Sequence, residues 1–135
     1  VDVPYGGSTS ARVEEVAKQI VDSAFKVHSH FGPGLLESVH EACLASELSR
    51  RGLKVVRQMR VPIRYDDIKI DEGFGIDLLA ADRILIEVKG SDQVHPVHRQ
   101  QVKTYLKLLG LQLGFLINFN VPLIKDGIER IILSR

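Results

Sequence analysis

With 135 residues, 44% of them hydrophobic, the chain suits one domain built on a single packed core. Charged residues make up 26% but the net charge is only +1, which excludes a chain unfolded by excess charge or drawn onto nucleic acid by its overall charge, so any polyanion site must be local. Apolar runs stop well short of the ~18 residues of a membrane span, no signal-peptide pattern is visible, and the single Cys43 fits a reducing compartment; a cytoplasmic protein with no membrane partner is expected.

The polar residues 1–10 start without Met and are expected to be a disordered or artificial tail, leaving 11–135 as a single domain. From Ala11, Val13, Val16, Ile20, Ala24, Val27 and Phe31 recur at helical spacing, with Glu14/Lys18 and Asp22/Lys26 as i,i+4 pairs outside the stripe. Gly32-Pro33-Gly34 breaks this helix, and a second is predicted from about Leu35 to Arg51, closed by Gly52 as a left-handed cap. Lys54 to Tyr65 is β-prone, with Pro62 arguing for an edge strand or a bulge, and Asp66-Asp67 turns into a short partner strand. Strands follow at Phe74 to Ala80 and Arg83 to Lys89, joined around Ala81-Asp82. Pro96 and Gly110 bracket a third helix, and Gly114 to Asn118 and Gly127 to Leu133 complete the sheet, the former apolar enough to be buried on both faces. The predicted order is α α β β β β α β β, an α/β fold without internal repeats.

The chemistry concentrates on one hairpin. Side chains alternate along a strand, so Ile84, Ile86 and Val88 take one face while Leu85, Glu87 and Lys89 take the other; in the strand before it, Ile76, Leu78 and Ala80 alternate with Asp77 and Leu79. Centring the hairpin on Asp82, with a loop of at least three residues, sets Asp77 opposite Glu87 on one face with Cβ atoms roughly 5 Å apart. Two carboxylates beside Leu79 and Leu85 repel and lose hydration, and a divalent cation with hard oxygen ligands compensates best, Mg²⁺ or Mn²⁺ being the expected ion. Lys89 would then lie beside a metal-held water and neutralise charge on an attacked phosphate. In an arbitrary protein the same pattern would more often be an ion pair from Lys89 to Asp77 or Glu87. Two further residues aim at the same place. Glu37 stands in the first turn of the second helix, where its ordinary role is to balance the helix dipole. Gln101 lies with Val97 and Leu108 on the face of the third helix expected to meet the sheet, where its ordinary role is a satisfied amide.

Other groups carry weaker signals. His28 with His30, or His95 with His98 and Cys43, make a poor zinc set, because i,i+2 residues diverge on a helix and no Cys-x-x-Cys or His-Glu-x-x-His frame exists. Cys43 falls on the apolar side of its helix and is expected in the core, and His95 and His98 lie at a helix start where they could touch a phosphate. Arg50, Arg51, Lys54, Arg57, Arg60 and Arg64 form the one basic concentration; Arg57 differs in parity from Lys54, Arg60 and Arg64, so only part of it can form a stripe tracking a sugar-phosphate backbone.

Taken together these residues resemble the GxxExxY family, a branch of the PD-(D/E)XK nuclease-like superfamily. The name-giving motif stands as Gly34-Leu35-Leu36-Glu37-Ser38-Val39-His40, followed in order by QMRVPIRY, GIDLLA with Asp77, ILIEVKG with Glu87 and Lys89, HRQQVKTYLKLLG with Gln101 and Tyr105, GFLINFN and GIERIIL. The resemblance implies a restriction-endonuclease-like α/β/α core with a mixed central sheet. It further implies that Asp77 and Glu87 hold Mg²⁺, that Lys89 assists the water, that Glu37 supports the metal or its water shell, and that Gln101 accompanies the site. His40 stands where the motif has Tyr, and Ile76 where the superfamily pattern has Pro.

The expected function is a Mg²⁺- or Mn²⁺-dependent phosphodiesterase acting on nucleic acid, with DNA as the favoured substrate. Asp77, Glu87 and the Val88 carbonyl would ligate the ion, with Glu37 supporting its water shell; Lys89 would orient or deprotonate water; Gln101 would position Lys89 or substrate; and Arg57, Arg60, Arg64, His95 and His98 would contact the polyanion. The alternative is a catalytically silent nuclease-fold module that binds nucleic acid or protein. The small size leaves little surface to grip a duplex, which favours a homodimer.

Overall fold

Ser10 opens the first helix by accepting a hydrogen bond from the Val13 amide at 3.2 Å, which satisfies one of the donors a helix start leaves unpaired. In the computed structural model, which describes residues 10–71 and 75–133, this helix α1 runs Ala11–Phe31 and buries Val13, Val16, Ala17, Ile20, Ala24 and Val27. Helix α2 (Glu37–Arg50) follows the glycine-proline break. Gly52, at φ +84°, closes α2 in the left-handed conformation, and the Leu53 amide donates back to the Leu48 carbonyl at 3.2 Å.

Five strands form the central sheet in the order β1-β4-β5-β6-β7: β1 is Val55–Arg60, β4 Gly75–Ala80, β5 Ile84–Lys89, β6 Leu113–Asn118 and β7 Ile128–Ile132. Only β5 and β6 run parallel, joined by helix α3 (Pro96–Leu109), so the sheet is mixed as expected. Ile84, Ile86 and Val88 pack with α1 and α2 on one face; Leu79, Leu85 and Leu116 pack with α3 on the other, giving an α/β/α sandwich. Every residue of β6 is buried, as its composition predicts for a central strand covered on both faces. Gly114 lets α3 approach closely: a Cβ there would come within 2.9 Å of Val102 Cγ1. No described helix is long and apolar enough to cross a membrane.

The structure departs from expectation in three places. The β-prone stretch from Lys54 to Tyr65 is two strands, because Pro62 has no N–H to continue the ladder and Val61 turns into the α3-side core; β2 (Ile63–Tyr65) pairs instead with β3 (Ile68–Ile70) as a separate ribbon. This adds one strand to the predicted order. Ile76 joins the α3-side cluster with Leu79 rather than sharing a face with Leu78 and Ala80. The cause lies in β1, where Gln58 adopts φ +51° and interrupts the alternation, so Val56 and Met59, which pair with Leu79 and Ile76, also point towards α3. Third, α3 buries Val102, Tyr105 and Leu106, while Gln101, Val97 and Leu108 are exposed; the predicted sheet-facing side of this helix is displaced by about a residue. The expected tail falls almost wholly outside the described residues, as does the expected strand start at Phe74.

Candidate metal centre

The β4–β5 turn decides where the carboxylates meet. Ala81 and Asp82 take φ +54° and +56°, the Arg83 amide donates to the Ala80 carbonyl at 3.0 Å, and Ala80 pairs with Ile84, so three residues form the loop. Leu79 then faces Leu85 and Leu78 faces Ile86, the register expected from a hairpin centred on Asp82. Beyond Leu78–Ile86 side chains replace the regular ladder. The Asp77 amide donates to Glu87 Oε1 at 3.3 Å, and the Val88 amide donates to Asp77 Oδ2 at 2.8 Å. Both carboxyls therefore occupy one notch where the two strands exchange backbone pairing for side-chain contacts.

Glu87 is only 7% exposed. Burial, and then the neighbouring Asp77 charge, push its carboxyl up to about 9, against a smaller opposing pull from Lys89. Lys89 is half-buried at the end of β5, and among the described residues it makes no ion pair. An ordinary Lys89–carboxylate bridge, the commonest meaning of the sequence pattern, is thus not formed. Glu37, exposed in the first turn of α2, accepts from the Gly90 amide through Oε1 at 3.0 Å, which ties that helix start to the residue after Lys89.

Three groups absent from the sequence-derived set enter from neighbouring elements. Tyr105, on the buried side of α3, has its hydroxyl pushed upwards by burial and then by the Glu87 and Asp77 charges. Glu41, one turn after Glu37 and 4% exposed, accepts from Gln58 Nε2 at 2.8 Å; the same Nε2 donates to Asp77 Oδ1 at 3.3 Å. The i,i+4 spacing from Glu37 was a signal for Glu41. Nothing in the residue type announced Gln58, since glutamine rarely adopts positive φ.

The other predicted residues lie elsewhere. Gln101 accepts from His98 Nδ1 at 3.3 Å rather than reaching Lys89. His95 caps α3, its Nδ1 accepting from the Val97 amide at 3.1 Å. Arg57 is paired with Glu41 at 3.2 Å, Arg60 donates to the Asp71 carbonyl at 3.0 Å, and Arg64 faces Lys69 across the β2–β3 ribbon, so the three arginines form no single stripe. His40, at the motif's Tyr position, is fully buried, stacks on Phe119 with ring centroids 4.5 Å apart, and bonds the Gly32 carbonyl at 3.1 Å; it secures the α1–α2 connection. A cavity of about 510 Å³ between α1 and α2, lined by Lys26, Phe31, Cys43, Glu47 and Arg50 among others, contains neither Asp77 nor Glu87.

Carboxyl oxygens are hard donors, the kind that takes Mg²⁺ or Mn²⁺ with several waters retained. Among the described residues no group of three or more His, Cys, Asp or Glu side chains converges. A divalent cation would offset the repulsion between the Asp77 and Glu87 carboxylates, which without one is relieved by Glu87 keeping its proton, and no cationic side chain among the described residues is bonded to Glu87. A family model described as the PD-(D/E)XK nuclease superfamily matches residues 14–131. No curated protein and no solved structure matches the chain significantly.

Proposed function

The chain belongs to the PD-(D/E)XK nuclease superfamily, and from that premise we propose a metal-dependent phosphodiesterase that hydrolyses nucleic acid, with DNA as substrate. The observation carrying this reading is the meeting of Asp77 and Glu87 where the β4–β5 ladder gives way, with Lys89 beside them and, among the described residues, in no ion pair. Asp77, Glu87 and the Val88 carbonyl would hold Mg²⁺ or Mn²⁺, and Glu37 would support its water shell. When bound, the ion supplies positive charge that stabilises the attacked phosphate and acidifies water.

The protein's own groups then act in sequence. Lys89 holds the attacking water by a hydrogen bond and stabilises negative charge as the water oxygen bonds to phosphorus and gives up a proton to solvent. The phosphorus–oxygen ester bond breaks, and the departing sugar oxygen takes a proton from solvent. Glu37, through the Gly90 amide, keeps the backbone after Lys89 in place. Arg60, Arg64, His95 and His98 are the groups available for phosphate contacts, with Gln101 beside His98; Arg57 is neutralised by Glu41. The cytoplasmic location and a homodimeric state belong to the same proposal.

Cleavage of single- and double-stranded DNA and RNA in Mg²⁺ or Mn²⁺ tests it with Asp77→Ala and Lys89→Ala. Asp77→Ala should abolish cleavage, and Lys89→Ala should lower the rate by roughly 10²–10³-fold. Cleavage that persists in both variants overturns the mechanism.

A further inference from the structure

The geometry points to Gln58 as a positioning residue: its amide, oriented by the Glu41–Arg57 pair, fixes the Asp77 carboxylate in its ligating orientation. The inference deepens the proposed function and rests on Asp77 being a metal ligand. Three observations converge on it. Gln58 Nε2 donates to Asp77 Oδ1 at 3.3 Å and to Glu41 Oε1 at 2.8 Å, so a single –NH₂ group spans two carboxylates. Glu41 cannot drift, because it is 4% exposed and Arg57 donates to its Oε2 through Nε at 3.3 Å and through Nη2 at 3.2 Å. Gln58 itself stands at φ +51° in the middle of β1, a backbone state that a side chain other than glycine or asparagine rarely takes.

That last observation separates a functional amide from a merely tolerated one. Were the position selected for backbone shape alone, glycine would serve it better, since it reaches positive φ without steric cost. Glutamine keeps the unfavourable conformation while its amide holds one oxygen of Asp77; the Val88 amide holds the other at 2.8 Å. Asp77 is thereby gripped from β1 and from β5 at once, and its rotamer is set before any cation arrives. Partners that orient a metal-ligating carboxylate typically change metal affinity ~10–100-fold when removed.

The test compares Gln58→Gly, which relieves the backbone but deletes the amide, with Gln58→Met, which keeps the length without the donors. Mn²⁺ binding is read by calorimetry, thermal stability in chelator, and Val88 amide hydrogen exchange in the metal-free protein. Both variants should bind Mn²⁺ at least ~10-fold more weakly, Gln58→Gly should melt no lower than the parent, and Val88 exchange should quicken in both. Parental Mn²⁺ affinity in both variants overturns the inference. So does an affinity loss that accompanies a lower melting point in Gln58→Gly, since that marks a purely structural residue. Absence of Asp77-dependent Mn²⁺ binding in the parent protein defeats the proposed function instead; Val88 exchange then still decides whether Gln58 holds Asp77, unchanged exchange overturning that and faster exchange upholding it.

Discussion

The two ends of the β4–β5 hairpin share a strand pair and differ in almost everything else. Near the turn, Leu78, Ala80, Ile84 and Ile86 are completely buried, the ladder is regular, and apolar side chains fill both faces. One residue further on, the ladder gives way to contacts of Asp77 and Glu87 side chains with backbone amides, and one carboxyl is buried beside another. The first end supplies stability and register; the second spends part of that stability to hold two acids in one notch. Such a division is expected where a site is destabilising and its scaffold must over-determine it.

The stable end is the more sensitive to substitution. Ile86→Ala removes a fully buried side chain opposite Leu78 in the α1/α2-side core, and should cost about 2–5 kcal/mol in urea denaturation. A loss below about 1 kcal/mol would mean that the hairpin's regular end is not what anchors the notch.

Glu87→Gln acts on the other end and should have the opposite sign. Folded Glu87 retains its proton up to about 9, whereas the unfolded carboxyl releases it near 4.5, so the folded state binds the extra proton between those limits. The sign follows: the parent's stability is fully present below 4.5 and is lost as pH rises towards 9. The amide introduced by the substitution cannot ionise, so in chelator the variant should exceed the parent by about 3 kcal/mol at neutral pH, with the gap closing on acidification. Added Mn²⁺ should reverse the order by stabilising the parent alone. A gap that does not shrink towards acid pH would show that burial of Glu87 carries no penalty.

The same division explains what the sequence disclosed. The regular end was legible: Ile84, Ile86 and Val88 can face only one core, and that alternation, centred on Asp82, gives the observed register and brings Asp77 to Glu87. Layering was legible too, since α1 carries an unbroken stripe and β6 is apolar throughout. What escaped depended on contacts distant in sequence. Apolar residues spread over about half the circumference of α3, at Val97, Val102, Tyr105, Leu106, Leu108 and Leu109, so its periodicity left the centre of the facing side undetermined; close approach at Gly114 selects Val102 and Leu106 and turns Gln101 outward. Gln58 escaped because its positive φ reflects the tertiary bridge from Glu41 to Asp77, which no local propensity encodes.

The smallest expected effect concerns the turn that makes both ends possible. Ala81 and Asp82 both sit at positive φ, which costs an L-residue with a Cβ about 1 kcal/mol and costs glycine nothing. Ala81→Gly removes that strain but also frees the unfolded chain and deletes a methyl group packed partly against the α1/α2 core. These opposed effects should leave a net gain of roughly 0.5 kcal/mol, a rise of a few degrees in melting temperature. The ladder bonds and the Ala81 amide's 2.7 Å bond to the Lys54 carbonyl involve no Ala81 side chain, so the three-residue loop and Mn²⁺ affinity should be unchanged. A stabilised variant that loses Mn²⁺ would show that strain in the turn is transmitted to Asp77 and Glu87; one that keeps it leaves the turn setting register alone, with the grip on the carboxylates supplied locally.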